Sequence, residues 1–331
     1  MRCNLSCSFC DTTYRHQKDS EELTLDEWLT IIHEAISTGV QQFFVLGGGE
    51  PFVKRGILDI LGAIKSHGCY GMLTTNGSLI DEKVSDELLD MKWDEFHFSI
   101  DGDNPLTHDT LRGQQGSFKK AVQSACRLST HNKNFQPRIV LHTVITNRNH
   151  TQLCGIIKLA YALKAKRVDF DSLIAYRPEQ QSLLLSPSQE SILQQEAQKA
   201  LSLAQELGIE STLENFVHQE RVHRGASLPK ATSDVGMKGA PCLKPWHHLV
   251  IGHNGRTSPC CVLSGEGPSI KGQSFLDFWH TSSYFTALRT SMYQHKPTNR
   301  CAECSWNILR HEQEIRNHIQ KSEWNAHQHK S

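Results

Sequence analysis

Between residues 24 and 207 short apolar runs alternate with longer amphipathic segments. The runs, rich in β-branched and aromatic residues, predict strands at 42–46, 70–74, 95–100, 138–145 and 167–173. The segments between them space their apolar residues as one face of a helix, predicting helices at 25–38, 54–67, 81–91, 117–130, 150–163 and 187–207. The last opens on Ser186, with Pro187 at the first helical position and Gln189 three residues after the cap. Strands separated by helices of this length imply an α/β class with a parallel sheet and right-handed crossovers. Each predicted strand runs into a polar or Gly-rich patch, as in barrel enzymes, which keep their sites at the C-terminal strand ends. The sheet is therefore expected to be curved or closed on itself.

The pattern changes after residue 207. Residues 227–241 mix Gly, Pro, Ser and Lys without periodicity and read as a linker. A hairpin is predicted from 248–251 and 256–258 across His253-Asn254-Gly255, followed by a helix over 275–292. The expected division is 1–215 for the large domain, 216–240 for the linker, 241–310 for a small domain and 311–331 for a polar, His-rich tail.

Lys and Arg total 35, and so do Asp and Glu, giving a formal net charge of zero. No strong field draws in nucleic acid or an anionic membrane surface, so neither is expected as a partner. No run approaches the ~18 apolar residues that a membrane helix needs. A soluble, cytoplasmic protein is expected.

Seven of the eleven cysteines fall into two sets, Cys3/Cys7/Cys10 and Cys242/Cys260/Cys301/Cys304. A chain long enough to build a core has no need of a disulfide framework, so the grouping reads as metal chemistry in a reducing compartment. The CxxxCxxC spacing of the first set can place three thiolates on three irons of one cubane and leave the fourth iron open. Structural zinc would want a fourth protein ligand, and none is nearby. Cys69, Cys126 and Cys154, in or beside apolar segments, read as buried thiols. Cys261 is an alternative to Cys260 as a ligand.

Further chemistry sits at the predicted strand ends. Gly47-Gly48-Gly49-Glu50-Pro51 follows the first strand, Thr74-Thr75-Asn76-Gly77 the second, and Ser99-Ile100-Asp101-Gly102 the third, with Arg112-Gly113 shortly after. Glycines let backbone approach a ligand closely. Small hydrogen-bonding residues and one arginine suit a ligand with an amine, a carboxylate and a ribose. Asp169 and Asp171, two apart on a strand, share a face and read as loop-capping groups. No catalytic residue is assigned beyond the cofactor shell.

CNLSCSFC, GGGEP, TTNG and SIDG followed by LRG, in this order, resemble the radical S-adenosylmethionine enzymes over about the first 210 residues. The resemblance implies a partial (β/α)6 TIM-like barrel. It also implies a [4Fe-4S] cluster on Cys3, Cys7 and Cys10, whose open iron chelates S-adenosylmethionine for reductive cleavage to a 5′-deoxyadenosyl radical. Position by position, it puts Phe9 near the adenine and Gly48, Gly49 and Glu50 at the methionyl amine. Ser99 and Arg112, with Asn76, fall at ribose and carboxylate contacts. A reductant such as flavodoxin or ferredoxin is the implied partner. The family has a strand before its cysteine loop, which here begins at residue 3, so either the first strand is absent and one sheet edge is open, or another segment covers that edge.

The segments APCLKPW, HNGRTSPCC and SFLDFWHTSSYFTALR, with the CxxC at Cys301 and Cys304, are similar to the shortened auxiliary-cluster domain called twitch, of the SPASM group. This implies a second [4Fe-4S] cluster on Cys242, Cys260, Cys301 and Cys304, although spacing alone fits a tetrahedral zinc site as well. The implied activity is hydrogen abstraction from an unidentified substrate, with oxidation of a small-molecule alcohol as one form. Two alternatives stand beside it, a peptide-modifying maturase and a noncatalytic iron-sulfur or zinc protein.

Overall fold

Thr24 caps the first helix, α1 (Leu25–Ser37), by accepting from the Glu27 amide while the Glu27 side chain accepts from the Thr24 amide. The computed structural model describes residues 2–10, 22–131, 135–175, 177–217, 242–294, 296, 298 and 301. Beyond α1 the order is β1 (Gln42–Val45), α2 (Ile57–Ser66), β2 (Tyr70–Thr75), α3 (Glu82–Asp90), β3 (Glu95–Ser99), α4 (Pro105–Arg112) and α5 (Ser117–Thr130). It continues with β4 (Arg138–Ile145), α6 (Leu153–Ala162), β5 (Arg167–Ser172), α7 (Pro187–Glu206), β6 (Glu210–Ser211) and α8 (Glu214–Val217). The six strands form one parallel sheet in sequence order, β1 to β6. This is the α/β partial-barrel class that the sequence implies.

Several elements differ from expectation. The helix expected from residue 54 begins at Ile57, because Gly56 takes a left-handed φ of +80° that no helix continues through. Strand β6 and helix α4 were not anticipated. Helix α4 has a readable start, since Asn104 accepts from the Thr107 amide and Pro105 occupies the first turn. Phe216, placed by sequence in the linker, is buried in the main core, so 216 and 217 belong to the first compact unit. That unit spans Met1–Ser227 and the second Leu228–Ser331. The rest of the expected linker and the 311–331 tail lie outside the described residues.

The sheet has two unlike faces. Leu73, Phe96, Phe98, Ile139, Leu141, Ile145, Val168 and Phe170 point outward into a core shared with α2, α5, α6 and α7. Of the alternate positions, Tyr70, His97, Ser99, His142, Asp169 and Asp171 are half-buried or exposed, while Val140 on the same face is buried. A parallel sheet covered on both faces reads as continuous apolar strands. Here period-two alternation leaves the inner face largely polar and only partly covered.

In the second unit, α9 (Lys244–His247) precedes the hairpin β7 (Val250–Ile251) and β8 (Thr257–Ser258), which pair antiparallel. The single helix expected over 275–292 is two, α10 (Phe275–Thr281) and α11 (Ser283–Tyr293), because Ser282 leaves the helical region at ψ 114°. Among the described residues no helix is long and apolar enough to cross a membrane.

Candidate functional site

The cysteine loop is built against the C-terminal ends of the strands. The Glu50 amide donates to the Arg2 carbonyl at 2.9 Å, and the Ser8 amide donates to the Leu111 carbonyl at 2.9 Å. Two glycines permit this approach. A Cβ on Gly49, whose φ is +143°, would stand 2.0 Å from the Arg2 carbonyl oxygen, and one on Gly113, φ +65°, would stand 2.3 Å from that of Ser6. Both contacts are with backbone, so neither yields to a side-chain movement. Gly48 stands beside Gly49 in nearly extended backbone.

Three of the sequence-predicted residues serve the loop's framework. Glu50 is buried, and its carboxylate accepts from the Asn76 amide at 2.7 Å, Thr75 Oγ1 at 2.7 Å and the Phe52 amide at 3.4 Å. It ties the turn after β1 to the end of β2. Burial pushes its pKa above the carboxylate range despite these donors. Asn76 donates to Asn4 Oδ1 at 3.0 Å and lies 4.0 Å from Cys3 Sγ, while its Oδ1 accepts from the Ser78 amide. Arg112, only 8% exposed, makes an ion pair with fully buried Asp101, reaches Cys7 Sγ at 3.8 Å and lies 5.3 Å from the centre of the Phe9 ring. Burial opposes its charge, but Asp101 and Cys7 outweigh that and hold its pKa above the usual value.

Phe9 packs with Val144 and Leu184 on the small apolar cluster Leu111, Leu173 and Leu183. The Phe9 carbonyl accepts from Gln180 Nε2 at 3.0 Å. Ser99 ends β3 on the inner face, in register with His142 of β4, and its hydroxyl has no partner among the described residues.

Burial pushes the Cys7 thiol up to about 11 against the pull of Arg112, and raises Cys3 as well. Bound iron deprotonates a coordinating thiol outright. Among the described residues no three His, Cys, Asp or Glu side chains converge on one metal ion. A cubane does not require convergence, since each thiolate takes its own iron. Three thiols in one loop, faced by an arginine and an amide nitrogen, fit the group.

Sequence reasoning missed one inner-face pair. His142 Nε2 lies 2.7 Å from Asp171 Oδ2 on the next strand. Burial lowers the imidazole pKa, but Asp171, with Asp101 and Asp169 behind it, outweighs burial and raises it above the ordinary value. The register of β4 against β5, invisible in the sequence, makes the pair.

In the second unit Cys242, Cys260 and Cys301 all pack against Leu263, Leu288 and Met292. Cys261 is exposed and is absent from that cluster. Cys304 lies outside the described residues. Of the thiols read as buried, Cys69 is buried, Cys154 is half-buried and Cys126 is exposed, on the solvent side of α5.

Comparison with known proteins agrees with this geometry. The Radical SAM superfamily model matches residues 1–160, and the model of the SPASM iron-sulfur cluster-binding domain matches 242–305. An AdoMet-dependent heme synthase of Methanosarcina barkeri is 26% identical over 290 residues, 87% of this chain and 82% of the relative. A PqqA peptide cyclase of Rhizobium meliloti is 25% identical over 295 residues, 87% of this chain and 73% of the relative. Among solved structures, Streptococcus suis SuiB bound to S-adenosylmethionine superposes with a TM-score of 0.66 at 17% identity, covering 92% of this chain and 70% of SuiB. Native anSMEcpe with bound AdoMet gives 0.61 at 17% identity, covering 92% and 84%.

The fold is thus that of the partial-barrel S-adenosylmethionine enzymes. The chain combines a radical SAM domain with a SPASM domain, the arrangement of the SPASM-type radical SAM enzymes it resembles, and its cofactors are S-adenosylmethionine and two iron-sulfur clusters. The chemistry requires a reductant.

Proposed function

We propose that this enzyme oxidises a peptide held along the inner face of the sheet. The observation that carries the reading is the partly covered inner face, whose polar side chains stay half-buried or exposed while the outward alternates are packed. The half-buried Glu95, His97, Arg138, His142, Arg167 and Asp169 on that face suit an extended substrate rich in amides and charge. The similarity to PqqA peptide cyclases over most of the chain supports a peptide above the small alcohol that the sequence also allowed. The reductant is a flavodoxin or ferredoxin, and the compartment is the cytoplasm.

When bound and reduced, the N-terminal cluster and S-adenosylmethionine supply the 5′-deoxyadenosyl radical that abstracts hydrogen. The chain's own residues do the rest. Cys3, Cys7 and Cys10 hold the irons, and Arg112 beside Cys7 offsets thiolate charge in a low-dielectric setting. The Gly48-Gly49 backbone receives the methionyl amine, Ser99 the ribose and Phe9 the adenine. Glu50 and Asn76 act as positioning residues, because their polar atoms are engaged by β2 and the cysteine loop.

A two-electron oxidation removes one hydrogen atom, one proton and one electron. The proton goes from the substrate N–H or O–H to His142, whose Nδ1 has no partner among the described residues and whose charge Asp171 compensates. Cys242, Cys260, Cys301 and Cys304 would hold a second cluster, which would supply the acceptor for that electron. The test is anaerobic co-expression with each short peptide encoded beside the gene, followed by mass spectrometry. A peptide lighter by two hydrogens supports the reading; unchanged peptides, with oxidation of an alcohol or porphyrin instead, overturn it.

A further inference from the structure

Tyr284 lies in the same small cluster as the three described C-terminal cysteines. Its ring packs against Leu263, Leu288 and Met292, the residues on which Cys242, Cys260 and Cys301 also rest. The ring is fixed edge-on to Phe285 at 5.3 Å between centroids, and Gly267 makes room on another side, where a Cβ would stand 3.1 Å from Tyr284 Cε1. Its hydroxyl is buried and has no hydrogen-bond partner among the described residues. The groups that act on it electrostatically are Glu266, Cys260 and Cys301. A buried hydroxyl left unpaired is costly, and native proteins seldom tolerate one without an acceptor.

We propose that Tyr284 donates its phenolic hydrogen bond to sulfur at the C-terminal iron-sulfur site and thereby raises the reduction potential of that cluster. The proposal rests on the reading that Cys242, Cys260 and Cys301 are its ligands. A phenol keeps its proton at neutral pH, and thiolate or sulfide is the acceptor that the surrounding chemistry offers. Hydrogen bonds to cluster sulfur stabilise the extra electron of the reduced state and move the potential upward. Tyr284 is thus a positioning and tuning residue for electron acceptance at this site.

The test is a redox titration of the anaerobically reconstituted full chain, followed by electron paramagnetic resonance, in wild type and Tyr284→Phe. The expected result is a downward shift of the C-terminal cluster equivalent to about tenfold in the reduction equilibrium, ~59 mV for one electron. Iron and sulfide content and the N-terminal signal should not change. Replacing Tyr284 by a difluorinated tyrosine, a stronger donor, should shift the same potential upward, which separates hydrogen bonding from packing. An unmoved potential in both variants, with the cluster in place, overturns the proposal. If Cys260→Ala and Cys301→Ala each leave the C-terminal iron in place, the ligand reading itself has failed.

Discussion

Arg112 Nη1 lies 3.8 Å from Cys7 Sγ, across 105 positions of sequence. The same side chain is paired with Asp101, which is wholly buried and whose other oxygen accepts from the Val144 amide at 2.9 Å. Strands β3 and β4, the helix α4 and the cysteine loop therefore meet at one guanidinium. Removing one partner of a buried ion pair costs roughly 3–5 kcal/mol, because the other charge stays behind unpaired. Asp101→Asn should lower the unfolding free energy by that measure. Arg112→Lys should weaken iron retention at the N-terminal set, since an ammonium lacks the fork that serves Asp101 and Cys7 together. Unfolding curves and iron analysis check both.

Gly49→Ala and Gly113→Ala should displace the cysteine loop while leaving the helices folded. Each new methyl group meets a backbone carbonyl, at 2.0 and 2.3 Å respectively. Far-ultraviolet circular dichroism should be unchanged, and about half of the reconstituted iron should be lost. Full iron in both variants would show that the loop does not need this approach.

The His142 pair gives a pH signature. Its folded pKa is raised above the ordinary ~6.5, so the pairing contributes stability that is fully present below ~6.5 and is lost as pH rises through the folded value. The stability difference between wild type and Asp171→Asn should accordingly be largest near pH 5–6 and shrink above neutrality. Imidazole proton resonances followed through a pH titration should place His142 lower in the variant.

The C-terminal ligand set makes a further distinction between neighbours. Cys260 packs on the cluster-side core, while Cys261 is exposed at the start of a short 3-10 turn. Cys260→Ala should lose the second cluster and Cys261→Ala should keep it, as read from iron and sulfide per chain.

Much of this arrangement could be read from the chain because local signals carried it. The five longer strands and the helix from Pro187 follow from periodicity and caps, and the cysteine loop and GGGEP turn are contiguous motifs. Strand β6 has only two residues, too few for a period, and α4 was passed over although Asn104, Pro105 and Gly113 mark both its ends. The roles of Glu50 and Asn76 were harder to foresee. Their partners come from other strand ends, so the same residues that suggest a cofactor shell are occupied in holding the loop. His142 with Asp171 and Tyr284 with the cysteines depend on register and packing, which no local pattern encodes.

The most direct measurement is chromatographic detection of 5′-deoxyadenosine after dithionite reduction of the anaerobically reconstituted chain with S-adenosylmethionine. The account predicts slow formation without any substrate, and none from the variant in which Cys3, Cys7 and Cys10 are all replaced by Ala. A complete N-terminal cluster that yields no 5′-deoxyadenosine under these conditions would contradict it and favour a noncatalytic iron-sulfur protein.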